Sequence, residues 1–211
     1  MKLATVDSRY TRVESVLHHE GFRLLAGVDE VGRGPLAGPV VAAACIIPAA
    51  VHLEGIRDSK ALSPAARRKL FWKIISHTIV GIGVVSEQEI DRINILQASL
   101  LAMREAVLAL SVTPDLLLID GHLKIDLPMH QIPIIRGDAK VVSIGAASIV
   151  AKVTRDEMMT LYDIQYPHYG FRFHKGYPTA AHIAALEERG PSPIHRMSFG
   201  PVARFASTTE S

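Results

Sequence analysis

The order of elements legible in this chain is that of an α/β domain built on a mixed central sheet. Short apolar runs alternate with longer segments of helical period, the pattern of strands and helices laid in layers. The first two runs are joined by a glycine-rich turn, which favours antiparallel pairing at the start of the sheet. Three runs also end in acidic residues, and in open α/β sheets ligands gather at strand ends.

Residues 1–24 form a lead-in with some helical pattern over 1–20. Leu24–Asp29 and Val40–Ile47 are expected to be strands, and Val31–Pro39 the turn between them. Ser63-Pro64 opens a helix, with serine at the N-cap and proline at the first helical position, running to about His77. Within it Trp72, Ile74 and Ile75 are expected in the core. Ile79–Val85 reads as a strand. Residues 86–110 read as one helix, with Ile90, Ile93, Leu96, Leu100, Met103 and Val107 at three- to four-residue spacing, ended by Thr113-Pro114. Leu116–Ile119 is a buried-type strand ending in Asp120-Gly121, and Ile132–Ile135 is another, ending in Gly137-Asp138. The Ala-rich segment 143–165 is helical, as is Tyr177–Arg189, stopped by Gly190-Pro191. Residues 25–202 are taken as one domain, and 203–211 as a tail expected to fray.

Composition narrows the function classes. Hydrophobic residues make up 48 % of 211, enough for a sizeable core. A formal charge of +2 is not that of a protein that coats nucleic acid, although local clustering of Lys and Arg decides such binding. The single cysteine, Cys45, lies in an apolar run and reads as a small buried hydrophobe, which suits a reducing cytosol. No apolar segment opens the chain, and the longest apolar stretch, Val40–Val51, is broken by Pro48. It falls short of the about 20 residues needed to span a bilayer. A soluble cytoplasmic protein is expected, with no membrane partner. Ten histidines are present, but none pairs with cysteine at a zinc spacing, so structural zinc is not expected.

The acids carry the chemistry. Asp29, Glu30, Asp120 and Asp138 each closely follow an apolar run. Singly, an Asp at such a place is often only a turn former. Converging, the four would repel one another unless cations neutralised them. Oxygen donors select Mg²⁺ or Mn²⁺, and such a site can hold two cations for phosphodiester hydrolysis. Adjacent Asp29 and Glu30 point to opposite faces of a regular strand, so both reach one site only if the strand ends there. Gly32, Gly34 and Pro35 are expected to end it.

The run Ala26-Gly27-Val28-Asp29-Glu30-Val31-Gly32-Arg33-Gly34-Pro35-Leu36-Ala37-Gly38-Pro39-Val40 resembles the opening signature of ribonuclease HII, the type 2 ribonuclease H. Asp58-Ser59-Lys60, Ile119-Asp120-Gly121, Gly137-Asp138, Ala146–Asp156, Tyr166-Pro167, His174–Thr179, His195-Arg196 and Ser198-Phe199 follow in the family's order. The resemblance implies a ribonuclease H-like fold with a helical C-terminal extension. It implies hydrolysis of the RNA strand of RNA–DNA hybrids, and cleavage 5′ of ribonucleotides in duplex DNA, with Mn²⁺ or Mg²⁺ as cofactor. Asp29, Glu30, Asp120 and Asp138 match the metal-binding and catalytic carboxylates. Gly32, Arg33 and Gly34 match the loop that reads the ribonucleotide, and Tyr177 the tyrosine that packs on the sugar of the next nucleotide. Lys60 matches a lysine near backbone phosphates, and Asn94 and Gln97 a polar pair that holds the DNA strand. A monomer without an obligate protein partner is expected. His122, Ala139 and Gly145 depart from the residues usual beside these motifs.

Other readings stay open at this point. The type 3 relatives carry a further N-terminal domain, for which the about 25 residues before Gly27 leave no room. A hybrid-binding module without catalysis and a resolvase-like nuclease of the same fold are further alternatives. His174, Lys175, His195 and Arg196 could contact phosphate, or Arg196 could pair with a surface carboxylate. Arg67-Arg68-Lys69 is either a solvated face or a phosphate-backbone patch. Asp156 reads as structural, within a helix and near Arg155.

Overall fold

A computed structural model of the protein describes residues 12–53, 55–56 and 63–205. In chain order these form α1 (Arg12–His19), β1 (Leu25–Val31), β2 (Val40–Ile46), α2 (Pro64–His77), β3 (Ile79–Val85) and α3 (Glu87–Leu108). They continue with β4 (Leu116–Asp120), β5 (His130–Ile134), a 3₁₀ turn at Gly137–Ala139, α4 (Val142–Gln165), α5 (Phe171–His174), α6 (Ala180–Arg189) and α7 (Gly200–Ala203). The five strands lie in one sheet in the order β3-β2-β1-β4-β5. β1, β2 and β3 pair antiparallel, whereas β1–β4 and β4–β5 are parallel, so the sheet is mixed as expected. No described helix is long and apolar enough to cross a membrane.

Alternation along the strands divides the core into two layers. Ala26, Val28, Val40, Ala42 and Ala44 face α3, where Ile90, Ala98, Ala102, Ala106 and Val107 cover them. Val41, Ala43 and Cys45 face Leu70 and Ile74 of α2 and Ala146, Ala147 and Val150 of α4. β2 is buried along its whole length, which explains its unbroken run of small apolar residues. Burial also pushes the Cys45 thiol up to about 12, so it is an inert core group.

Local chemistry starts and stops the helices. The Ser63, Ser86 and Thr179 side chains each accept a backbone N–H of the first turn of α2, α3 and α6. α6 begins at Ala180 and not at Tyr177 as expected, because Pro178 disfavours helical backbone at the residue before it and Thr179 takes the cap. α3 is not one unbroken helix. Asn94 has φ 68° and ψ 163°, and its side-chain oxygen accepts from the N–H groups of Leu96 and Gln97 at 3.0 and 3.1 Å. That capping restarts the helix and rotates Leu96 out to 38 % exposure, while alanines at 98, 102 and 106 form the packed stripe. Trp72 is a further correction: Ile74 is fully buried, but Trp72 is 57 % exposed, edge-on to Phe71.

α4 packs directly on β1. A Cβ built at Gly27 would lie 2.1 Å from the backbone carbon of Ser143 and 2.2 Å from the nitrogen of Ile144, so only glycine lets the helix sit this close. Because β1 carries Asp29 and α4 carries the opposite wall of the cleft, this contact sets the site's width. Gly27→Ala should therefore cost about 3 kcal/mol or more, as overpacking against backbone does. A thermal melt should show a loss of roughly 2–4 °C per kcal/mol. An unchanged melt would mean that α4 shifts freely away from β1.

Candidate active site

Parallel pairing aligns the ends of three elements. The β1–β4 ladder ends at Val28↔Ile119 and the β4–β5 ladder at Asp120↔Ile134, which leaves Asp29 and Asp120 at the same edge. The Gly137 N–H donates to Asp120 Oδ1 at 2.6 Å, which ties the end of β4 to the turn that carries Asp138. Asp29, Glu30, Asp120 and Asp138 thus line one cleft of about 370 Å³. Its other wall is made of Arg67 from α2 and Ser148 and Lys152 from α4.

The adjacent pair reaches this cleft by a route that differs from the expected one. β1 does not end at Glu30: it stays paired with β2 through Val31↔Val41. Pairing stops only on the β4 side, after Val28. Beyond that point the strand has an open flank, and side chains of opposite direction can meet the same cleft around it. The Glu30 N–H donates to Asp29 Oδ1 at 2.8 Å, and Arg33 Nη1 lies 3.4 Å from Glu30 Oε1.

Burial dominates the electrostatics. Asp29 is 6 % exposed, and its carboxyl is pushed well above the usual range by burial first and by the neighbouring charge of Glu30 second. The Ser148 hydroxyl works the other way, and the charge of Asp120 adds to the rise. Glu30 is raised too, by burial, with Arg33 opposing and Asp120 adding. Among the described residues no group of three or more His, Cys, Asp or Glu side chains already stands at ion-holding spacing. The donor set still fits a hard cation: it is all oxygen, it is crowded, and the charge of Asp29 is disfavoured until something positive enters.

Beside the acids runs the loop 32–39. Gly32 has φ +100°, and a Cβ there would come within 2.4 Å of Arg155 Nε. A Cβ built at Gly34 would be 3.5 Å from the Tyr177 ring, so the loop and this half-exposed tyrosine face one another. Arg33 points outward, its side chain 51 % exposed. Asn94 and Gln97 are exposed on α3 and lie outside the acid cleft. Lys60 lies outside the described residues.

The basic residues near the C-terminus do not face phosphate as one expectation had it. Arg196 is fully buried and His195 is 2 % exposed, so Arg196 makes no surface ion pair either. Its guanidinium donates to the carbonyls of Gly32, Arg33 and Gly38. Lys175 Nζ donates to the Asp156 carbonyl and to Thr160 Oγ1, and Asp156 itself pairs with Lys152 at 2.7 Å.

Three histidines form a relay beneath Tyr177. The Ser192 N–H donates to His195 Nδ1 at 2.8 Å, so the proton of that ring sits on Nε2. That N–H faces His182 Nε2 at 3.0 Å, which leaves His182 Nδ1–H to donate to the Tyr177 carbonyl at 2.9 Å. His174 stacks on His182 at 4.3 Å between ring centres and accepts the Gly176 N–H. Every proton is placed with all three rings neutral, and burial pulls His182 and His195 down to about 4.

Two polar cleft residues had no assigned role in the sequence. Ser148 and Lys152 are four residues apart on α4, which puts them on one helix face. That spacing, inside a block already matched to a family, was the available signal. Arg67 was weighed only as part of a basic run.

Comparison with known proteins decides the family. The ribonuclease HII family profile matches residues 26–202. The chain belongs to the ribonuclease HII family. The ribonuclease HII of Geobacter sulfurreducens is 55 % identical over 187 residues, covering 88 % of this chain and 86 % of that one. That of Coxiella burnetii is 53 % identical over 183 residues, with 86 % and 91 % covered. The crystal structure of ribonuclease H2 from Pyrococcus horikoshii superposes with a TM-score of 0.73 at 28 % identity, over 87 % of this chain and 97 % of that one. Bst ribonuclease HIII, solved with Mn²⁺, shares the fold at a TM-score of 0.66 and 21 % identity, with 92 % and 72 % covered. Membership of ribonuclease HII makes the chain an endoribonuclease of the ribonuclease H type.

The histidine relay gives a pH test. An unfolded histidine takes up its proton near 6.5, whereas His182 and His195 resist protonation until about 4. Their contribution to stability is therefore complete above pH 6.5 and is lost as pH falls from there toward 4. The raised carboxyls of Asp29 and Glu30 act in the opposite sense, so a variant must isolate the relay. Between pH 6.5 and 4.5 the melting temperature of His182→Asn should fall less steeply than that of wild type. Parallel slopes would show that the relay does not titrate as a unit.

Proposed function

We propose that this ribonuclease HII hydrolyses the RNA strand of RNA–DNA hybrids and cuts on the 5′ side of ribonucleotides embedded in duplex DNA. It leaves 3′-hydroxyl and 5′-phosphate ends, and serves ribonucleotide excision and primer removal in the cytoplasm. The observation that carries this reading is the convergence of Asp29, Glu30, Asp120 and Asp138 on one cleft beside the glycine loop.

Asp29, Glu30, Asp120 and Asp138 would hold Mn²⁺ or Mg²⁺. Such cations, when bound, neutralise charge on the phosphate and lower the pKa of water. The Mn²⁺ in the Bst ribonuclease HIII structure supports this cofactor class. The chain's own groups do the rest. Lys152 and Arg67 bring positive charge to the wall facing the acids, where a phosphate would enter. Backbone groups of Gly32, Arg33 and Gly34 read the 2′-hydroxyl, the one group that separates ribose from deoxyribose. The Tyr177 ring offers a flat apolar face to the sugar of the following deoxynucleotide. Lys60 meets backbone phosphate, and the amide groups of Asn94 and Gln97 hold the DNA strand. The Asn94 side-chain oxygen is spent on its own helix, which leaves its NH₂ donors for the substrate. The protein acts as a monomer and needs no protein partner.

A DNA duplex with one ribonucleotide, incubated with Mn²⁺ or Mg²⁺, should be cut once, on the 5′ side of the ribose, and only with metal present. Asp29→Asn should lose about 10³-fold in kcat, since the several kcal/mol of charge stabilisation at such sites converts to that range. Cleavage without metal, cleavage of single-stranded RNA in preference to the duplex, or full activity in Asp29→Asn would overturn the reading.

A further inference from the structure

Two buried arginines stand behind the loop beside the acid cleft. Arg155 of α4 and Arg196 after α6 are both fully buried, and neither has a carboxylate within ion-pair distance among the described residues. Burying an unpaired charge is costly, and a loop could be packed by apolar side chains without that cost. Burial pulls the two groups down to about 10 and about 9, still above neutral pH, so both remain cations.

Their hydrogen bonds converge on one segment. Arg155 donates from Nε to the Pro39 carbonyl at 2.9 Å, from Nη2 to that of Ala37 at 3.0 Å, and from Nη1 to that of Lys175 at 2.9 Å. Arg196 donates from Nε and Nη2 to the Gly38 carbonyl at 2.9 and 2.7 Å. Its Nη2 also meets the Gly32 carbonyl at 2.7 Å, and its Nη1 that of Arg33 at 3.3 Å. Five carbonyls of the segment 32–39 are thus gathered inward by two cations. The Lys175 bond extends the same anchor to the segment that presents Tyr177. Arg196 is itself fixed from two sides: its guanidinium carbon lies 5.1 Å from the centre of the Phe199 ring, and Asp91 accepts the N–H groups of Met197 and Ser198.

We propose that Arg155 and Arg196 are positioning residues for ribonucleotide recognition, which hold the carbonyl side of loop 32–39 and the Tyr177 segment in one fixed relation. This rests on the assignment of Gly32, Arg33, Gly34 and Tyr177 to substrate reading. The physical reason for arginine is its planar fork, which delivers several donors in fixed directions to neighbouring carbonyls; a lysine keeps the charge but not the directions. Drawing carbonyl oxygens inward also leaves the outer side of the loop less negative toward an approaching phosphate.

The consequence is selective. A duplex with one ribonucleotide has a single productive register, so it depends on the loop and Tyr177 being set together. A uniform hybrid offers a 2′-hydroxyl at every step and tolerates a loosened reader. Arg155→Lys and Arg196→Lys should therefore lower kcat/KM on the single-ribonucleotide duplex at least tenfold more than on a uniform RNA–DNA hybrid. Mn²⁺ affinity measured by calorimetry should stay within twofold of wild type. Assays run well below the melting temperature of each variant keep lost folding out of the ratio. Equal loss on both substrates, or lost thermal stability with an unchanged ratio, would assign the arginines to structure alone and overturn the proposal. Failure of the wild-type protein to cut either substrate would instead sink the functional reading. If neither variant folds, the arginine Nε–H resonances of the wild-type protein decide. Those of Arg155 and Arg196 should shift on adding the single-ribonucleotide duplex in metal-free buffer, and unmoved resonances contradict the proposal.

Discussion

Repulsion between carboxylates is the constraint around which this molecule is arranged. Asp29 is nearly buried, its charge opposed by lost solvation and by Glu30 beside it, and Asp120 adds to the burden on both. A fold seeking stability alone would place apolar side chains here. The sheet accommodates the acids by setting them where ladders stop: β1 runs on beyond β4, β4 stops at Asp120, and the turn bearing Asp138 is tied back to Asp120 through Gly137. The cost of crowding is localised at one edge, and the layers of α3 and α4 carry the stability.

Rigidity next to that edge comes from polar groups buried behind it. The loop 32–39 packs through Leu36 and Ala37 against apolar side chains and is also held through its carbonyls by two guanidiniums. The Tyr177 carbonyl ends a chain of neutral imidazoles leading back to Ser192. Both devices fix backbone, not side chains. That suits a surface whose task is to discriminate one hydroxyl, because backbone groups have few ways to adapt to a wrong substrate.

Much of this was legible in the sequence, for identifiable reasons. The cap at Ser63 and the apolar period gave α2 and the extent of α3, the start of α6 was expected at Tyr177 and falls three residues later, and the acid-terminated runs gave the cleft. The misses have physical causes. Asn94 breaks α3 through a backbone angle that an apolar pattern does not register, and the stripe beyond it is alanine, which carries little pattern. Trp72 was assigned to the core on hydrophobicity alone, although its helix offers only Leu70 and Ile74 as fully covered positions. Arg155 and Arg196 were hardest to foresee, because arginine is rarely buried without a carboxylate partner and the carbonyl acceptors in loop 32–39 lie more than a hundred residues away in the chain. Glu30 lines the cleft by a different route from the expected one: one ladder ends beside it, not the strand.

Bound cations are what would make the crowded edge tolerable. Calorimetric titration of Mn²⁺ into the protein, alone and with duplex DNA present, measures this most directly against the same titration of Asp120→Asn. Saturable binding in the wild-type protein, weakened at least tenfold by that single neutralisation, is the expected result. Absence of binding under both conditions, or equal affinity in the variant, would mean that these acids do not form one cation-holding site.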